Sequence, residues 1–232
     1  MNTSSDYKNS FFSWWKIITM LLLIYTVVQG LLGPVPRLPI LNETIRNLYF
    51  HVPMWFGMTF VLLLSFIFSI MYLAGHKHSN DNFAVEAANT GIAFGVLGLI
   101  TGMIWAKFTW GQYWSGDPKQ NASAIGLLIY LAYMVLRGSF SDDQQRARIS
   151  AIYNIFAFPI LFALLYILPR QAKDSLHPGN GGNPAFSSYD LNFDMKLVFY
   201  PSVIAFILLA VWITILRTRM RNADDKLNGI ES

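Results

Sequence analysis

The sequence contains no cysteine, and this absence excludes a whole range of chemistry. Without thiols the chain can form no disulfide framework, no thiolate metal site and no iron–sulfur ligation, and it cannot carry out thiol redox chemistry. Any chemistry must therefore come from histidine, carboxylate, amide or aromatic side chains.

Charged residues are scarce as well. Only 13% of the 232 residues are charged, whereas 54% are hydrophobic. A soluble domain usually carries about 25% charged residues, so a water-soluble globule of this composition would expose large apolar patches. The net charge of +4 does not indicate nucleic acid binding, because the basic residues form short clusters between apolar blocks. We therefore predict a protein that resides in a lipid bilayer and binds no nucleic acid.

Long apolar stretches are what the sequence does have. A helix needs about 20 apolar residues to cross a hydrocarbon core of roughly 30 Å. Stretches without Asp, Glu, Lys or Arg that meet or approach this length lie at about 17–33, 52–75, 87–106, 121–136, 149–168 and 197–216. We predict an all-α integral membrane protein in which residues 1–232 form one polytopic domain of six transmembrane helices. The first stretch is interpreted as a retained helix rather than a signal peptide, because no A-x-A-like cleavage site follows it.

Six spans place both termini on the same side of the membrane. Basic residues crowd the span ends on that side, notably Arg146 with Arg148 and the trio Arg217, Arg219 and Arg221. The positive-inside rule therefore predicts cytoplasmic termini. The outer side then holds three longer segments, at 34–51, 107–120 and 169–196.

Three expectations concern the span ends. Arg137 should reach the interface from the end of the fourth span, as long basic side chains do. Pro53 should lie where the second helix begins, since a missing amide donor is tolerated there. His76 and His78 should be solvated in a short cytoplasmic loop.

The middle outer segment is rich in tryptophan. Three of the seven tryptophans of the chain, Trp105, Trp110 and Trp114, lie within ten positions. Such residues often form an aromatic belt at the headgroup level of a membrane. The same segment also contains Tyr113, glycines, the carboxylate of Asp117 and the ammonium group of Lys119, a mixture suited to a flat apolar ligand with charged edges. Both interpretations remain open from composition alone.

Two histidines flank this segment on the outer side. His51 directly precedes the second span, and His177 lies in the last outer segment. A lone histidine of this kind is usually an ordinary polar loop residue. Two of them on separate segments of one face are also candidate axial ligands for a metal in a planar macrocycle, because neutral imidazole is the commonest metal ligand.

The run Trp110-Gly-Gln-Tyr-Trp114-Ser-Gly-Asp117-Pro-Lys119 resembles the W-G-x-x-W-x-W-D signature of the haem-handling proteins of cytochrome c maturation. The resemblance is to the haem exporter C (CcmC) family, whose members have six spans in the bacterial inner membrane, and it extends to a histidine before the second span and a Leu-His pair in the last outer segment. One residue departs from the signature, since Gly116 stands where the family has a tryptophan.

This resemblance implies a function. His51 and His177 would be the axial ligands of haem b, and Trp105, Trp110, Tyr113, Trp114 and Asp117 would form a haem-supporting outer loop. The chain would deliver haem to a periplasmic haem chaperone and would act with other maturation subunits, including an ABC-type transporter complex. Arg46 and Lys119, each close in sequence to a proposed site element, are candidate partners of the haem propionates.

Two other functions remain as alternatives. One is a channel or secondary transporter without haem ligation, although no ionisable residue interrupts the predicted spans as such transporters usually require. The other is a haem lyase or cytochrome c synthase subunit; the related synthases carry further histidines inside their spans, and none lies within a predicted span here. We therefore predict a protein that is not an enzyme in its own right, with assistance in covalent haem attachment to the chaperone left open.

Overall fold

The computed structural model describes residues 13–37, 41–172, 174–177 and 191–229, and within these ranges the regular structure is entirely helical. The helices are α1 (Trp14–Leu32), α2 (Leu48–Gly75), α3 (His78–Trp110), α4 (Pro118–Gly138), α5 (Asp143–Phe162), α6 (Leu168–Gln171) and α7 (Phe193–Leu227). A 3₁₀ helix, Asn42–Asn47, leads into α2, and a π-helical turn, Ala163–Ile167, joins α5 to α6.

Six of these segments are long and apolar enough to cross a membrane, which confirms the prediction of an all-helical protein with six such helices. Large apolar side chains such as Leu128, Val135 and Phe156 point outward from the bundle. Lipid tails are as apolar as these side chains, so this exposure carries no penalty in a bilayer.

Successive long helices run in opposite directions and give the bundle two ends. We call one the site end, where α1, α3 and α6 finish and α2, α4 and α7 begin. The other is the terminal end. The contacts described below join residues of one end to one another: Trp105 meets Thr44 at the site end, and Arg137 meets Asp81 at the terminal end.

The helices extend past the predicted apolar stretches. α3 has 33 residues, about 50 Å at 1.5 Å per residue, and α2 begins at Leu48. His51 and Pro53 therefore lie inside α2, not before it or at its start, which corrects the predicted boundary. A helix need not stop where a charged residue ends an apolar run, because its backbone hydrogen bonds continue. α3 stops only at Gly111, whose φ of 82° is left-handed.

The core of the bundle forms around α2, which packs against α3, α5 and α7. Small residues of α3 let the α2 backbone come close, as is usual between membrane helices. A Cβ atom added at Gly91 would lie only 2.5 Å from Leu62, and one added at Gly95 would lie 2.8 Å from Met58. The close approach of α2 and α3 also positions the site described below.

Ion pairs close the terminal end. The Arg137 guanidinium donates two hydrogen bonds, of 2.9 and 2.6 Å, to the buried Asp81 carboxylate. Arg137 is itself buried within the bundle, so a carboxylate on the neighbouring helix, rather than water, meets its charge. His78 was expected to be solvated, but it lies 3.2 Å from Asp225 of α7.

A second buried carboxylate, Glu86, joins α3 to α7. Arg217 and Arg221 each donate a hydrogen bond of 2.6 Å to it. Glu86 lies one position before the charge-free stretch 87–106. The search for such stretches therefore gave no indication of its pairing. The paired charges of the terminal end therefore lie where helices contact one another.

Candidate functional site

His51 lies in the first turn of α2, between two indole rings. Trp55, one helical turn later, and Trp105 of α3 both meet its ring edge to face, at centroid distances of 6.2 and 5.9 Å. Trp105 is fixed in turn by a hydrogen bond of 3.2 Å from its indole N–H to the Thr44 hydroxyl. The imidazole is therefore half-buried in an aromatic setting with few alternative orientations.

The Nδ1 atom of His51 has a specific partner on α3. It lies 3.1 Å from the Thr101 hydroxyl oxygen, and that hydroxyl is within hydrogen-bond distance of the helix carbonyls of Leu97 (2.9 Å) and Gly98 (3.0 Å). Because the single hydroxyl proton goes to a helix carbonyl, the Thr101 oxygen can accept from Nδ1–H. This arrangement favours the imidazole tautomer whose lone pair is on Nε2.

Gly102 of α3 packs directly against the imidazole of His51. A Cβ atom built on Gly102 would lie 2.6 Å from Cε1 of His51, which is closer than side chains pack. The glycine thus allows the α3 backbone to lie directly against the imidazole. Any larger residue would displace the ring.

Asp117 organises the opposite part of the site. Its side chain caps α4 by accepting from the Lys119 N–H at 2.8 Å, and Pro118 occupies the first helical position, where its missing N–H costs nothing. The same carboxylate accepts from the Ser175 hydroxyl and, at 2.7 Å, from the Leu176 N–H. Only 4% exposed, Asp117 ties the short segment 174–177 to the start of α4.

His177 is held by this carboxylate and by an indole. Its Nδ1 atom lies 2.8 Å from Asp117 Oδ1, and the Trp110 ring meets the imidazole edge to face at 4.8 Å. Burial opposes ionisation of Asp117, but the His177 contact and the Leu176 and Lys119 N–H groups outweigh it and hold the pKa of this carboxyl well below its usual range. An ionised carboxylate only accepts, so Nδ1 of His177 carries a proton, and in the neutral ring the lone pair is then on Nε2.

Both histidines therefore lie at the site end with Nδ1 engaged by a second group. They are close enough for a charge on His177 to act on His51, and the Lys119 ammonium acts there too. Two elements that are 126 positions apart in sequence, the first turn of α2 and the segment 174–177, are brought together by α3 and α4.

The tryptophan-rich segment is only partly a loop. Trp105 and Trp110 belong to α3, and the loop itself is 111–117. Trp110 is the last residue of α3 and Trp114 lies beyond its glycine cap, so these two indoles do not share a helical turn although they are four positions apart. The Trp114 indole instead donates to Asn121 at 3.1 Å, while Tyr113 is 55% exposed, with Lys107 over its ring at 5.7 Å.

Gly116, the departure from the family signature, has a conformational reason to be glycine. Its φ is 74°, in the left-handed region, where a residue with a Cβ atom costs about 1–2 kcal/mol. Open space surrounds its Cβ position, so the constraint comes from the backbone and not from a neighbouring ring. A tryptophan here would strain this backbone.

We expect Gly116→Ala to lower the thermal midpoint of the protein and Gly116→Asn to lower it less, because asparagine tolerates the left-handed conformation better. Gly116→Trp should behave like the alanine variant and should not improve ligand retention. Thermal unfolding in detergent measures the order. Equal midpoints for all four proteins would contradict the left-handed assignment.

The cations of the site end differ in how they are engaged. Arg46 donates to Glu43 at 2.7 Å and to the carbonyls of Gly33 (2.7 Å) and Gly30 (3.2 Å), so it fastens the end of α1 to the 3₁₀ helix. Lys119 is half-buried at the start of α4, near His51. Arg170 of α6 is exposed and close enough for its charge to act on Lys119.

Several residues of the site were not selected from the sequence. Thr101, Gly102 and Trp55 lie in apolar runs that look like any other span, and Ser175 is an ordinary loop residue. Trp55 follows His51 by one helical turn, and this spacing was the one signal that could have identified it. Arg170 carried no signal beyond its charge.

This chain is similar to proteins named heme exporter protein C. A relative from Bradyrhizobium diazoefficiens named heme exporter protein C is 32% identical over 143 residues, which are 61% of this chain and 53% of the relative. A protein of the same name from Rhodobacter capsulatus is 25% identical over 219 residues, covering 90% of this chain and 86% of the relative.

A second kind of relative matches over a shorter region. A cytochrome c biogenesis protein CcsA from Prochlorococcus marinus is 37% identical over 82 residues, which are 35% of this chain and 26% of the relative. The family model for heme exporter protein C, in contrast, matches residues 2–229. Because this match covers nearly the whole sequence, the chain belongs to the heme exporter protein C (CcmC) family.

Proposed function

We propose that this protein binds haem b at the site end of its helix bundle, with His51 and His177 as the two axial ligands, and delivers it to a periplasmic haem chaperone during cytochrome c maturation. The observation that carries the proposal is the matched state of the two imidazoles. Each has Nδ1 held by a second group, Thr101 or Asp117, and in the neutral ring this leaves the lone pair on Nε2, which would bind the iron. Ligating histidines in metalloproteins are nearly always oriented in this way.

The donor set fits haem. A porphyrin supplies four nitrogens to its iron and needs only two further ligands, so a pair of imidazoles is a complete set. The indoles of Trp55, Trp105 and Trp110, which meet the two imidazoles edge to face, line the same region with apolar surface. Flat apolar surface beside two metal ligands suits a planar macrocycle.

Trp110 and Trp114 are proposed to support haem in different ways. Trp110 contacts His177 directly and is therefore a wall of the site. Trp114 is 37% exposed and sits on the loop between α3 and α4, next to the exposed Tyr113. Trp114 and Tyr113 are therefore better suited to cover the outer edge of the ligand or to contact the chaperone.

We expect Trp110→Ala to weaken haem retention by about tenfold. Burying one indole face against the porphyrin is worth roughly 1–2 kcal/mol at about 25 cal/mol per Å². Both imidazoles remain, so the absorption spectrum should stay low-spin while haem is lost more readily during purification. Trp114→Ala should lower transfer to the chaperone even where haem is still bound.

Trp14 provides the control, because it is an exposed indole at the terminal end. Trp14→Ala should leave both haem content and transfer unchanged. If Trp110→Ala and Trp114→Ala match Trp14→Ala and lower only membrane insertion, the segment is an aromatic belt and the proposed site shrinks to the two histidines.

The haem propionates are proposed to pair with Lys119. This ammonium is near His51 and half-buried, so a carboxylate there would gain a charge-assisted hydrogen bond. Arg170, whose charge acts on Lys119, extends the positive region. Arg46 was the other candidate, but its guanidinium already binds Glu43 and two backbone carbonyls, which makes it the weaker one.

The proposed location is the bacterial inner membrane, with the site end facing the periplasm and both termini in the cytoplasm. The clustered Arg217, Arg219 and Arg221 at the terminal end support this orientation through the positive-inside rule. The proposed partners are the haem chaperone and the other maturation subunits, including an ABC-type transporter complex. The chain itself is proposed to act as a carrier rather than an enzyme.

Reporter fusions test the orientation. A reporter joined after Ser232 should be active only if it is one that works in the cytoplasm, because the arginine cluster of α7 should be retained on that side. Activity of a periplasmic reporter at the same position would place the histidines in the wrong compartment for haem delivery. That result would remove the proposed function.

A further inference from the structure

The two proposed ligands differ in what holds their Nδ1 atoms. His51 faces the neutral hydroxyl of Thr101 at 3.1 Å, whereas His177 faces the buried carboxylate of Asp117 at 2.8 Å. Hydrogen bonds to an ionised acceptor are about twice as strong as neutral ones. The stronger bond places more negative charge on the imidazole that donates it, and a more basic imidazole is a stronger metal ligand.

The surroundings add to this difference. The Asp117 carboxylate also accepts from Ser175 and Leu176, so the segment that carries His177 is fastened to the group that polarises it. Among the described residues, Thr101 makes fewer bonds to the start of the helix that carries His51. Its hydroxyl contacts carbonyls of its own helix, while its carbonyl accepts from the Asn47 amide at 3.2 Å.

We propose that Thr101 and Asp117 are positioning residues that make the two axial ligands unequal, so that His177 holds the iron more strongly and His51 is the ligand that gives way first when haem leaves. This inference rests on the proposed function. A carrier must bind its cargo and also release it, and unequal ligands let one bond break while the other keeps the cargo oriented.

The iron–nitrogen stretching band of the ferrous, singly ligated protein reports ligand strength directly, and resonance Raman spectroscopy measures it. His51→Ala leaves His177 as the only ligand, and His177→Ala leaves His51. We expect the band at higher frequency in His51→Ala, together with better haem retention than in His177→Ala. Equal frequencies, or the reverse order, would overturn the inference.

A second substitution in the His51→Ala protein identifies the cause of the higher frequency. Asp117→Asn in the His51→Ala protein should lower the frequency, because the neutral amide polarises Nδ1–H less. Ser175→Ala, which removes another donor to the same carboxylate but keeps its charge, should leave the frequency where it was. If both substitutions lower it equally, Asp117 acts only by holding the segment and the inference is wrong.

Thr101 is tested in the protein without haem. With ¹⁵N-labelled histidine, nuclear magnetic resonance distinguishes the two imidazole tautomers, and His51→Ala identifies the relevant signals. We expect His51 to carry its proton on Nδ1 in the parent protein and in Thr101→Ser, and to populate both tautomers in Thr101→Val. No change in Thr101→Val would overturn the role of Thr101.

Failure of the inference and failure of the proposed function give different results. If the parent protein and both single-ligand variants take up no haem, the proposed function itself falls, and the inference with it. If all three bind haem and the two variants give a band at the same frequency, only the proposed difference in strength between the two ligands is wrong.

Discussion

Replacing either His51 or His177 with alanine is expected to lower the haem content of the purified protein by about tenfold or more and to abolish its six-coordinate spectrum. Each imidazole would supply one of the two ligands that the protein contributes, and loss of even a supporting group commonly costs 10–100-fold in metal affinity. Imidazole in the buffer should partly restore haem content, because it can occupy the position of the missing ring. Absorption spectra of the purified variants measure both effects.

His76→Ala is the matched control. His76 is exposed at the terminal end, where it ends α2 in a left-handed conformation, far from the segment that carries His177. This variant should have the parent spectrum. If His51→Ala and His177→Ala also keep the parent spectrum, the two histidines are not the ligands.

Gly102→Ala is expected to reduce haem binding nearly as much as loss of His51, although it removes no polar group. The added Cβ atom would lie 2.6 Å from Cε1 of His51, so the ring or the α3 backbone must move. Overpacking of this kind costs about 1–3 kcal/mol, which corresponds to a loss of roughly 5-fold to 150-fold in affinity when it opposes the ligating position of the ring. Haem titration of the purified variant, followed by absorption, measures it.

The control for this substitution is Gly138→Ala at the end of α4, where an added Cβ atom meets nothing within 4 Å. It should leave haem affinity at the parent value. Added imidazole should rescue Gly102→Ala if the ring is merely displaced. Parent-like affinity in Gly102→Ala would show that His51 does not need its place against α3 and would count strongly against its role as a ligand.

The helices of this protein were predictable because the bilayer imposes their composition. Six apolar stretches could be found from the absence of charge alone, and each corresponds to a helix. Their ends were less predictable: α3 continues to Trp110 and α2 starts before His51, since a helix persists beyond the hydrocarbon core as long as its backbone bonds are made.

The two histidines and the tryptophan-rich segment could be selected from residue type, position and resemblance. The groups that orient them could not. Thr101 and Gly102 act through contacts between helices 50 positions apart, and no local pattern in either helix records that contact. The role of Asp117 also changed: it was selected as part of a ligand-supporting loop, but it is buried beneath His177 and binds that ring.

The spacing of Trp110 and Trp114 shows the same limit. A separation of four residues places side chains on one face only inside a helix, and Gly111 ends α3 between them. Glycine was visible in the sequence, but its left-handed conformation depends on where the helix leaves the bundle. The charge pairs Arg137–Asp81 and Glu86 with its two arginines were likewise invisible, because each joins separate helices.

The measurement that tests the account most directly is the visible absorption spectrum of the purified full-length protein after titration with haemin. Two neutral imidazoles on one iron predict stoichiometric uptake and a sharp Soret band with six-coordinate, low-spin features. These features should be absent in the protein that lacks both His51 and His177. A parent protein whose titration gives only the spectrum of free haemin, or that binds haemin with the same spectrum after both histidines are removed, would contradict the account and favour a transporter without haem ligation.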